Sequence, residues 1–559
     1  MCSKIVQDAV HGVIELEPLA VQVIDSPEFQ RLREIKQLGI TYFVFPSSQH
    51  SRFEHSIGTY HLAKKLLEAI HNDQNYSGPT LNFQEQLSVR IAALCHDLGH
   101  GPFSHMWEEF VKKGGSEYSQ YKHEKISGHV LEKIVRSKPS LQNELNNLNV
   151  DMKLILSLIL GDSSAVLSNE TGLKQKPFIY EILSNSLNGM DVDKWDYLLR
   201  DCLYSGIGAS GTNVDIDRFL RFYRPFLHTD QDKYNEDKSC CWHLSFKDTE
   251  LENLLRTFSL RQHLHQKVYQ HKTVTAISAM VIDALELIEP VLNLRSISMK
   301  ALRCQDPNDL DEFLKLHDSL LWDIYYRRGS LSNITSNDHL PQIQKAQSLI
   351  RRILNRDLYK YIDSIYEMSY YAPNDDTENY QHSSGQELSN SINETATQSL
   401  ALRSMGLGLG PRKSLCYEPI PPHYRTFGVT PNDIGRCSKE SILIEIFKRL
   451  PQNSGINCMN DLLVTESRFT SNSTSESPKF YFYTRSGSTF TYSEPLRVIR
   501  AYRLYWRRNN SYSTNNDKSF ESSTCRSIAY LTEAFNQWHQ EVVIKDNHET
   551  KCEQSVNQI

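Results

Sequence analysis

The densest chemistry in the chain lies in His96-Asp97-Leu-Gly-His100-Gly-Pro-Phe-Ser-His105, delivered by the apolar run Ile91-Ala-Ala-Leu-Cys95. Burying an ionisable group without a partner costs several kcal/mol, so a His-Asp pair closing an apolar helix, with two more histidines following, calls for a shared partner. Neutral imidazole and carboxylate are both good ligands for a divalent cation. Upstream stands His50-Ser-Arg52-Phe-Glu54-His55-Ser-Ile-Gly58, and downstream Asn188-Gly-Met-Asp191-Val-Asp193-Lys194-Trp-Asp196-Tyr197-Leu-Leu-Arg200-Asp201. Together they offer one His, a His-Asp pair and a carboxylate, which three helices can bring to one cation. Such a cation lowers the pKa of bound water and polarises a phosphoryl oxygen. An isolated His-Asp dipeptide more often caps or decorates a surface; the ordered set is what points to a metal.

Two further patterns suit a phosphorylated sugar. A helix through Asp193–Asp201 puts Asp193, Tyr197 and, with some drift, Asp201 on one face. A phenol can stack on a sugar and a carboxylate can accept from its hydroxyl. In Leu260-Arg261-Gln-His-Leu-His265-Gln-Lys267-Val-Tyr269-Gln270-His271-Lys272, helical spacing aligns Arg261, His265, Tyr269 and Lys272 on one stripe. Lys267 and His271 fall on another. One long helix with two basic faces can serve two anionic sites; the alternative is a solvated helix with scattered charges.

These side chains need a helical frame, and the sequence supplies one. Residues 15–225 read as successive helices, with helical apolar spacing in His61–Ile70 and Glu85–Leu98, and a short helix Asp151–Leu160 stopped by Gly161. Further helical regions are expected over Asp248–Leu294, Leu310–Tyr326 and Leu340–Tyr366. Residues 373–412, 466–478 and 508–525 are Ser-, Asn- and Thr-rich without apolar periodicity. Phe480–Thr484 and Thr489–Tyr492 read as two strands joined by a turn at Arg485-Ser-Gly487-Ser. The expected class is mainly α, with a helical core over 1–372, an insert at 373–412, a small α+β lobe at 413–545 and a tail at 546–559.

Composition narrows the possibilities. The 559 residues are 39% hydrophobic and 23% charged, with a net charge of −6, so no overall basic field argues for nucleic acid. Eleven cysteines without CxxC spacing argue against a disulfide framework and against a structural zinc site, and adjacent Cys240-Cys241 read as ordinary thiols. No long apolar run or signal-peptide core is present, so an intracellular protein of the nucleus or cytoplasm, with no membrane partner, is expected.

The pattern resembles the HD superfamily of metal-dependent phosphohydrolases. Closer still, it resembles the deoxynucleoside triphosphate triphosphohydrolases that carry a sterile-alpha-motif and an HD domain in animals. The resemblance rests on His11-Gly-Val-Ile-Glu-Leu, Phe29-Gln-Arg-Leu-Arg-Glu-Ile-Lys-Gln-Leu38, Arg52-Phe-Glu-His-Ser-Ile-Gly58, the His96–His105 stretch and Asp191-Val-Asp-Lys-Trp-Asp-Tyr197. It covers residues 4–300 and resumes weakly near 480–506. It implies metal ligands His55, His96, Asp97 and Asp193, for zinc, iron, manganese or magnesium. Asp191, two residues and about 200° round the helix from Asp193, reads instead as an N-cap.

By the same resemblance His123 is the general acid or base, assisted by Glu108 where the family has aspartate. The resemblance further implies that Gln37, Leu38, Arg52, His100, His105, Lys194, Tyr197, Asp201, Arg261, His265, Tyr269 and Gln270 contact a dNTP substrate. Leu38 fills space without offering a hydrogen bond, which disfavours a ribose 2′-hydroxyl. Lys4, Ile5, Asp25, Gln30 and Arg33 match a GTP activator site. Val44, Phe45, Arg218, Asn253, Lys267, His271 and Lys272 match a neighbouring dNTP activator site, shared across subunits of a dimer or tetramer. Single-stranded nucleic acid is a further partner to consider. Four departures stand out: the HD region begins almost at Met1 without a sterile-alpha-motif domain; Leu203-Tyr204 replaces a histidine pair; the 373–412 insert has no counterpart; and only Arg485 is a candidate basic contact from the C-terminal lobe. Other HD phosphohydrolases, such as a nucleotidase or phosphodiesterase, and a nucleic-acid-binding scaffold are the competing readings.

Overall fold

The architecture comes from a computed structural model that describes residues 3–162, 173, 176–207, 214–229, 240–328, 331, 339–371, 425–426, 439–452, 454, 456, 458–470, 479–484, 489–493, 496–507 and 518–538. The 373–412 insert and the turn at 485–488 lie outside them.

Helices dominate, and local chemistry explains where the site-bearing ones begin. Helix Arg52–His71 starts after Ser51, whose N–H donates to Glu54 Oε2. Helix Phe83–Cys95 starts on Asn82, which accepts from Glu85 N at 2.8 Å while its own N–H donates to Glu85 Oε2 at 2.7 Å. Residues 87–95 of that helix are buried on every side, so it threads the core. It closes at Cys95, leaving His96 and Asp97 in the turn that follows. Helix Met152–Leu160 ends on Gly161 in the left-handed conformation, as the spacing predicts.

Three expected helices differ. Helix Leu340–Leu354 gives way to strand β5 (Lys360–Tyr371), so its last expected turns are extended. Leu310–Tyr326 contains two short helices, Asp311–Leu314 and Leu320–Tyr326. The region from Asp248 is interrupted: helix Leu251–Leu264 runs into a π-turn at His265–Tyr269, Gln270 breaks it, and a new helix starts at Lys272. A single continuous stripe from Arg261 to Lys272 therefore does not exist, because the i+4 period is lost at the π-turn. The Ser/Thr-rich reading of 508–525 also yields in part, since helix Lys518–Trp538 begins inside it. Likewise, strand β7 (Leu462–Thr470) covers the start of 466–478.

Strands β1 (Lys4–Asp8) and β2 (Gly12–Leu16) form an N-terminal antiparallel hairpin. Strands β3 (Tyr223–Thr229), β4 (Cys240–Lys247), β8 (Lys479–Tyr483) and β9 (Thr489–Ser493) make one sheet in that order. The expected 480–492 pair is thus β8 and β9, and β8 also pairs parallel to β4. A second sheet runs β6 (Arg425–Thr426), β5, β10 (Leu496–Trp506), β7. The main core gathers the site helices with Phe480, Phe482 and Tyr505. A second core packs Ile442, Ile446, Leu531, Phe535 and Trp538 onto Tyr502 and Leu504 of β10.

Candidate metal centre and active site

Three elements bring the four expected ligands together. His55 lies one turn into helix Arg52–His71, His96 and Asp97 follow Cys95, and Asp193 opens helix Val192–Ser205. His55 Nε2 is 2.9 Å from Asp193 Oδ1 and 3.5 Å from Asp97 Oδ2. His96 Nε2 is 3.3 Å from Asp193 Oδ1 and 3.4 Å from Asp97 Oδ1. The Nε2 atoms of His55 and His96 are buried yet make no well-formed hydrogen bond, although their Nδ1 atoms are committed elsewhere. His55 Nδ1 meets Asp196 Oδ2 at 2.8 Å, and His96 Nδ1 meets the Ala93 carbonyl at 2.9 Å. Such contacts fix the tautomer and leave Nε2 for a cation. Asp191 caps the third helix, accepting from Lys194 N at 2.9 Å.

The electrostatics favour a cation. Burial alone would lower the His55 pKa, but the adjacent carboxylates of Asp193, Asp196 and Asp97 lift it to about 10. Burial would raise Asp97, yet Arg52, His96 and His100 hold it well below the ordinary carboxylate range. A pocket that attracts a proton this strongly attracts a divalent cation by the same field. The donor set, two imidazoles and two carboxylates, fits such an ion.

A second group adjoins the first. His100 stacks on His123, centroids 3.8 Å apart, and its Nε2 is 3.2 Å from Asp97 Oδ1. His123 Nδ1 meets Glu108 Oε1 at 2.6 Å, so glutamate reaches the partner expected of the family's aspartate. Burial would neutralise His123, but the hydrogen bond to Glu108 and the charges of Glu124 and Asp97 raise its pKa. Burial, Arg52 and His123 push His100 well down, leaving it neutral. His105 is mostly exposed, its Nδ1 3.6 Å from Glu108. The loop and helix His123–Ser137 touch so closely that a Cβ on Gly99 would sit 2.1 Å from the His123 carbonyl oxygen.

The remaining expected contacts divide. Leu38, Tyr197 and Tyr269 share one apolar cluster with Leu260, Leu264 and Val268. Each carboxylate oxygen of Asp201 already has one partner: His50 Nε2 lies 2.7 Å from Oδ1 and Tyr269 donates to Oδ2 at 2.6 Å. Lys194 Nζ is 3.6 Å from Asp191. His265 meets Tyr269 edge-on, and burial with Arg261 and Lys194 nearby lowers its pKa to about 3. Arg52 turns inward, donating to Asp97 Oδ2 at 2.7 Å, Ser104 Oγ at 3.0 Å and the Gln37 carbonyl at 3.3 Å. Gln37 and Gln270 each keep a buried side-chain oxygen without a hydrogen bond.

Lys4, Asp25, Gln30 and Arg33 line one cavity of about 440 Å³ with Asp8, Glu54 and Phe53, whereas Ile5 points outward, 73% exposed. Lys4 pairs with Asp25, Gln30 holds the Ile24 carbonyl, and Arg33 lies over Phe53 while donating to Gln30. Phe45 meets His271 edge-on, Val44 packs on the core, and Lys272 lies over Tyr361 while Lys267 is exposed. Arg218 pairs with buried Glu250, and Asn253 brackets the Asp215 backbone.

Sequence reasoning missed several residues that shape the site. His50 and Asp196 stood inside the quoted motifs, but nothing in spacing assigns them to Asp201 and His55. Asp318 carries no local signal: it accepts from Lys36 N at 2.9 Å and Phe103 N at 2.6 Å, tying together the two loops that carry Leu38 and Ser104.

A model of the HD domain matches residues 52–200, the segment that carries all four expected ligands. Deoxynucleoside triphosphate triphosphohydrolase SAMHD1 of Mus musculus is 38% identical over 375 residues, 64% of this chain and 54% of that protein. The Dictyostelium discoideum homologue of the same name is 38% identical, over 65% of this chain and 60% of its own length. The chain thus spans little more than half the length of these relatives. A putative HD domain-containing protein of Acanthamoeba polyphaga mimivirus is 34% identical and is covered over 74% of its length, by 65% of this chain. With that segment matched and an HD-domain relative covered over most of its length, the chain belongs to the HD-domain family.

Proposed function

We propose that the chain hydrolyses deoxynucleoside triphosphates to deoxynucleoside and inorganic triphosphate. The observation that carries this reading is the junction of two groups: the convergent atoms of His55, His96, Asp97 and Asp193, and the His123–Glu108 pair stacked against them through His100. The relatives named as triphosphohydrolases support the same substrate class. When bound, a zinc, iron, manganese or magnesium ion at the four ligands supplies Lewis-acid polarisation of a phosphoryl oxygen and acidifies water. His123, kept protonated by Glu108, gives a proton to the 5′-oxygen as its bond to the α-phosphorus breaks. The hydroxyl of the entering water stays on the released triphosphate, and its proton passes to solvent, from which His123 is recharged. Leu38, Gln37, Tyr197 and Asp201 form the sugar wall. His100, His105 and Lys194 are read as phosphate contacts, and Arg52, Arg261, His265, Tyr269 and Gln270 as further contacts to the substrate.

The cavity at Lys4, Asp25, Gln30 and Arg33 is read as a guanine-nucleotide site, its volume being in the range of small-molecule pockets. Asp25 suits a guanine edge and Arg33 a phosphate. Val44, Phe45, Arg218, Asn253, Lys267, His271 and Lys272 are read as contacts to a second nucleotide between subunits of a tetramer. The test is product analysis with purified full chain, Mn²⁺ and each dNTP, with and without GTP, while mass in solution is followed by light scattering. Equal yields of deoxynucleoside and triphosphate, with GTP raising both rate and mass, support the reading. Stepwise orthophosphate or a monophosphate product replaces it with another phosphohydrolase, and tight RNA binding without turnover replaces it with a scaffold.

A further inference from the structure

Four polar residues, buried Asp8, Asp196 and Arg200 and half-buried His11, take no part in the reaction as proposed, yet they form one unbroken chain. At one end Asp196 Oδ2 accepts from His55 Nδ1 at 2.8 Å. Its Oδ1 meets His11 Nε2 at 2.6 Å. Arg200 clamps both oxygens of Asp196, with Nε and Nη2 at 2.9 Å each. The other side of the same guanidinium holds Asp8, Nη1 to Oδ2 at 2.9 Å and Nη2 to Oδ1 at 3.3 Å. Asp8 is itself fixed by the N–H groups of Val10 and His11. At this far end Asp8 lines the cavity that also contains Lys4, Asp25 and Arg33. Helix Arg52–His71 is bare where the chain passes: a Cβ on Gly58 would lie 1.9 Å from Asp196 Oδ1 and 2.5 Å from Arg200 Nη2.

Fold stability alone gives no reason for this arrangement. Buried ion pairs repay their desolvation poorly, and apolar side chains of similar volume often serve a core as well. What apolar side chains cannot do is fix the ring of a metal-binding histidine, or transmit the position of a carboxylate on a cavity wall. Arg200 has a planar fork with donors on two edges, so it locks two carboxylates in one geometry, which a lysine cannot do.

We propose that Arg200 is a positioning residue that ties Asp8, on the cavity wall, to the carboxylate orienting His55, so that a ligand in the cavity and a cation at His55 strengthen each other's binding. Linkage makes this reciprocal. The inference rests on the reading of the two sites given above.

The test is Mn²⁺ affinity of the chelator-stripped full chain, measured by counting free Mn²⁺ with electron paramagnetic resonance, with and without GTP and after subtracting Mn²⁺ held by the nucleotide itself. GTP affinity is measured alongside by calorimetry. Arg200→Lys is expected to weaken Mn²⁺ binding about 10-fold or more. Asp8→Asn, which keeps an acceptor for its backbone partners and contacts none of the four expected metal-binding side chains, is expected to weaken it less and to abolish the gain that GTP gives the native chain. Near-ultraviolet circular dichroism checks folding, and if Arg200→Lys does not fold, Asp8→Asn decides alone. Native Mn²⁺ affinity indifferent to bound GTP, or an Asp8→Asn variant that keeps both affinity and gain, overturns the inference while leaving the function untouched. A native chain that takes up no Mn²⁺, or that binds Mn²⁺ but no GTP, overturns the reading of the corresponding site and the linkage with it.

Discussion

His123 and Leu38 separate chemistry from selection. His123 is not one of the four expected ligands and its Nε2 sits 3.9 Å from Asp97 Oδ1, so His123→Ala is expected to lower kcat by about 10²–10⁴-fold while Mn²⁺ content per chain stays unchanged. Loss of Mn²⁺ together with rate would instead make it a structural support of the centre. Leu38 packs, like Tyr197 and Tyr269, on the cluster of Leu260, Leu264 and Val268, and trimming it to alanine should open room for a 2′-hydroxyl. Leu38→Ala is expected to narrow the ratio of kcat/KM for dGTP over GTP by about 10-fold, the worth of a methylene or two in a pocket; an unchanged ratio places selection elsewhere. His265 gives a pH signature. The native ring resists protonation down to about pH 3, whereas the unfolded chain protonates near 6.5, so stability is lost as pH falls through that window. His265→Gln should flatten the fall in unfolding free energy between pH 7 and 4 by about 1–2 kcal/mol, allowing for partial exposure of the ring. The convergence of His55, His96, Asp97 and Asp193 was legible because their types and order are unusual in themselves. Their supports were not: Asp196 serves a histidine 141 residues away and Arg200 an aspartate 192 residues away, and no local pattern records such a pairing.

At the scale of elements, helices were legible where an apolar stripe carries the pattern, as over Phe83–Cys95 and Met152–Leu160, each of which the structure begins with a side-chain cap. They failed where a strand mimics the stripe. Tyr361, Ile362, Ile365 and Tyr366 recur at three and four residues, which reads as helix, yet β5 pairs along its length with β10. Sheet partners so distant in sequence override local spacing. The break at Gln270 is similar, since nothing in a run of good helix formers announces a π-turn. Asp318 shows how loops between elements are held. Phe103 and Ser104 have positive φ, 62° and 59°, a conformation unfavourable for residues with a Cβ, and the N–H of Phe103 is held by Asp318. Asp318→Ala leaves that N–H and the one on Lys36 buried without an acceptor. The expected loss is about 2–4 kcal/mol in denaturant unfolding, with a rise in KM larger than any fall in kcat because the displaced loops carry Leu38 and Ser104. A variant as stable as the native chain shows that water replaces the carboxylate.

At the scale of the whole molecule, the mainly helical class and the β8–β9 pair were legible, but not that β8 would lie beside β4. Hydrophobic alternation tells a strand which face is apolar and is silent on which strand lies beside it. The assembled molecule answers a different question: how far the fold depends on the centre. Both cores close without any ligand atom from His55, His96, Asp97 or Asp193. Small metal domains behave otherwise, folding only when the ion binds. Stripping the cation should therefore leave the chain folded but less stable, because the carboxylates of Asp97 and Asp193 then face each other across two buried imidazoles with less compensation. Binding to the native state alone adds about 2.7 kcal/mol at a hundredfold excess over Kd. For a chain of this size that corresponds to about 3 °C in Tm. A chelator-treated chain is expected to keep its far-ultraviolet circular dichroism, melt about 3 °C earlier, and recover on addition of Mn²⁺. Asp193→Asn, which removes a ligand charge while leaving the Asp191 cap in place, should abolish the recovery. Global unfolding on chelation would mean that the centre organises the core, and a melting curve indifferent to Mn²⁺ would mean that the four side chains bind no cation at all.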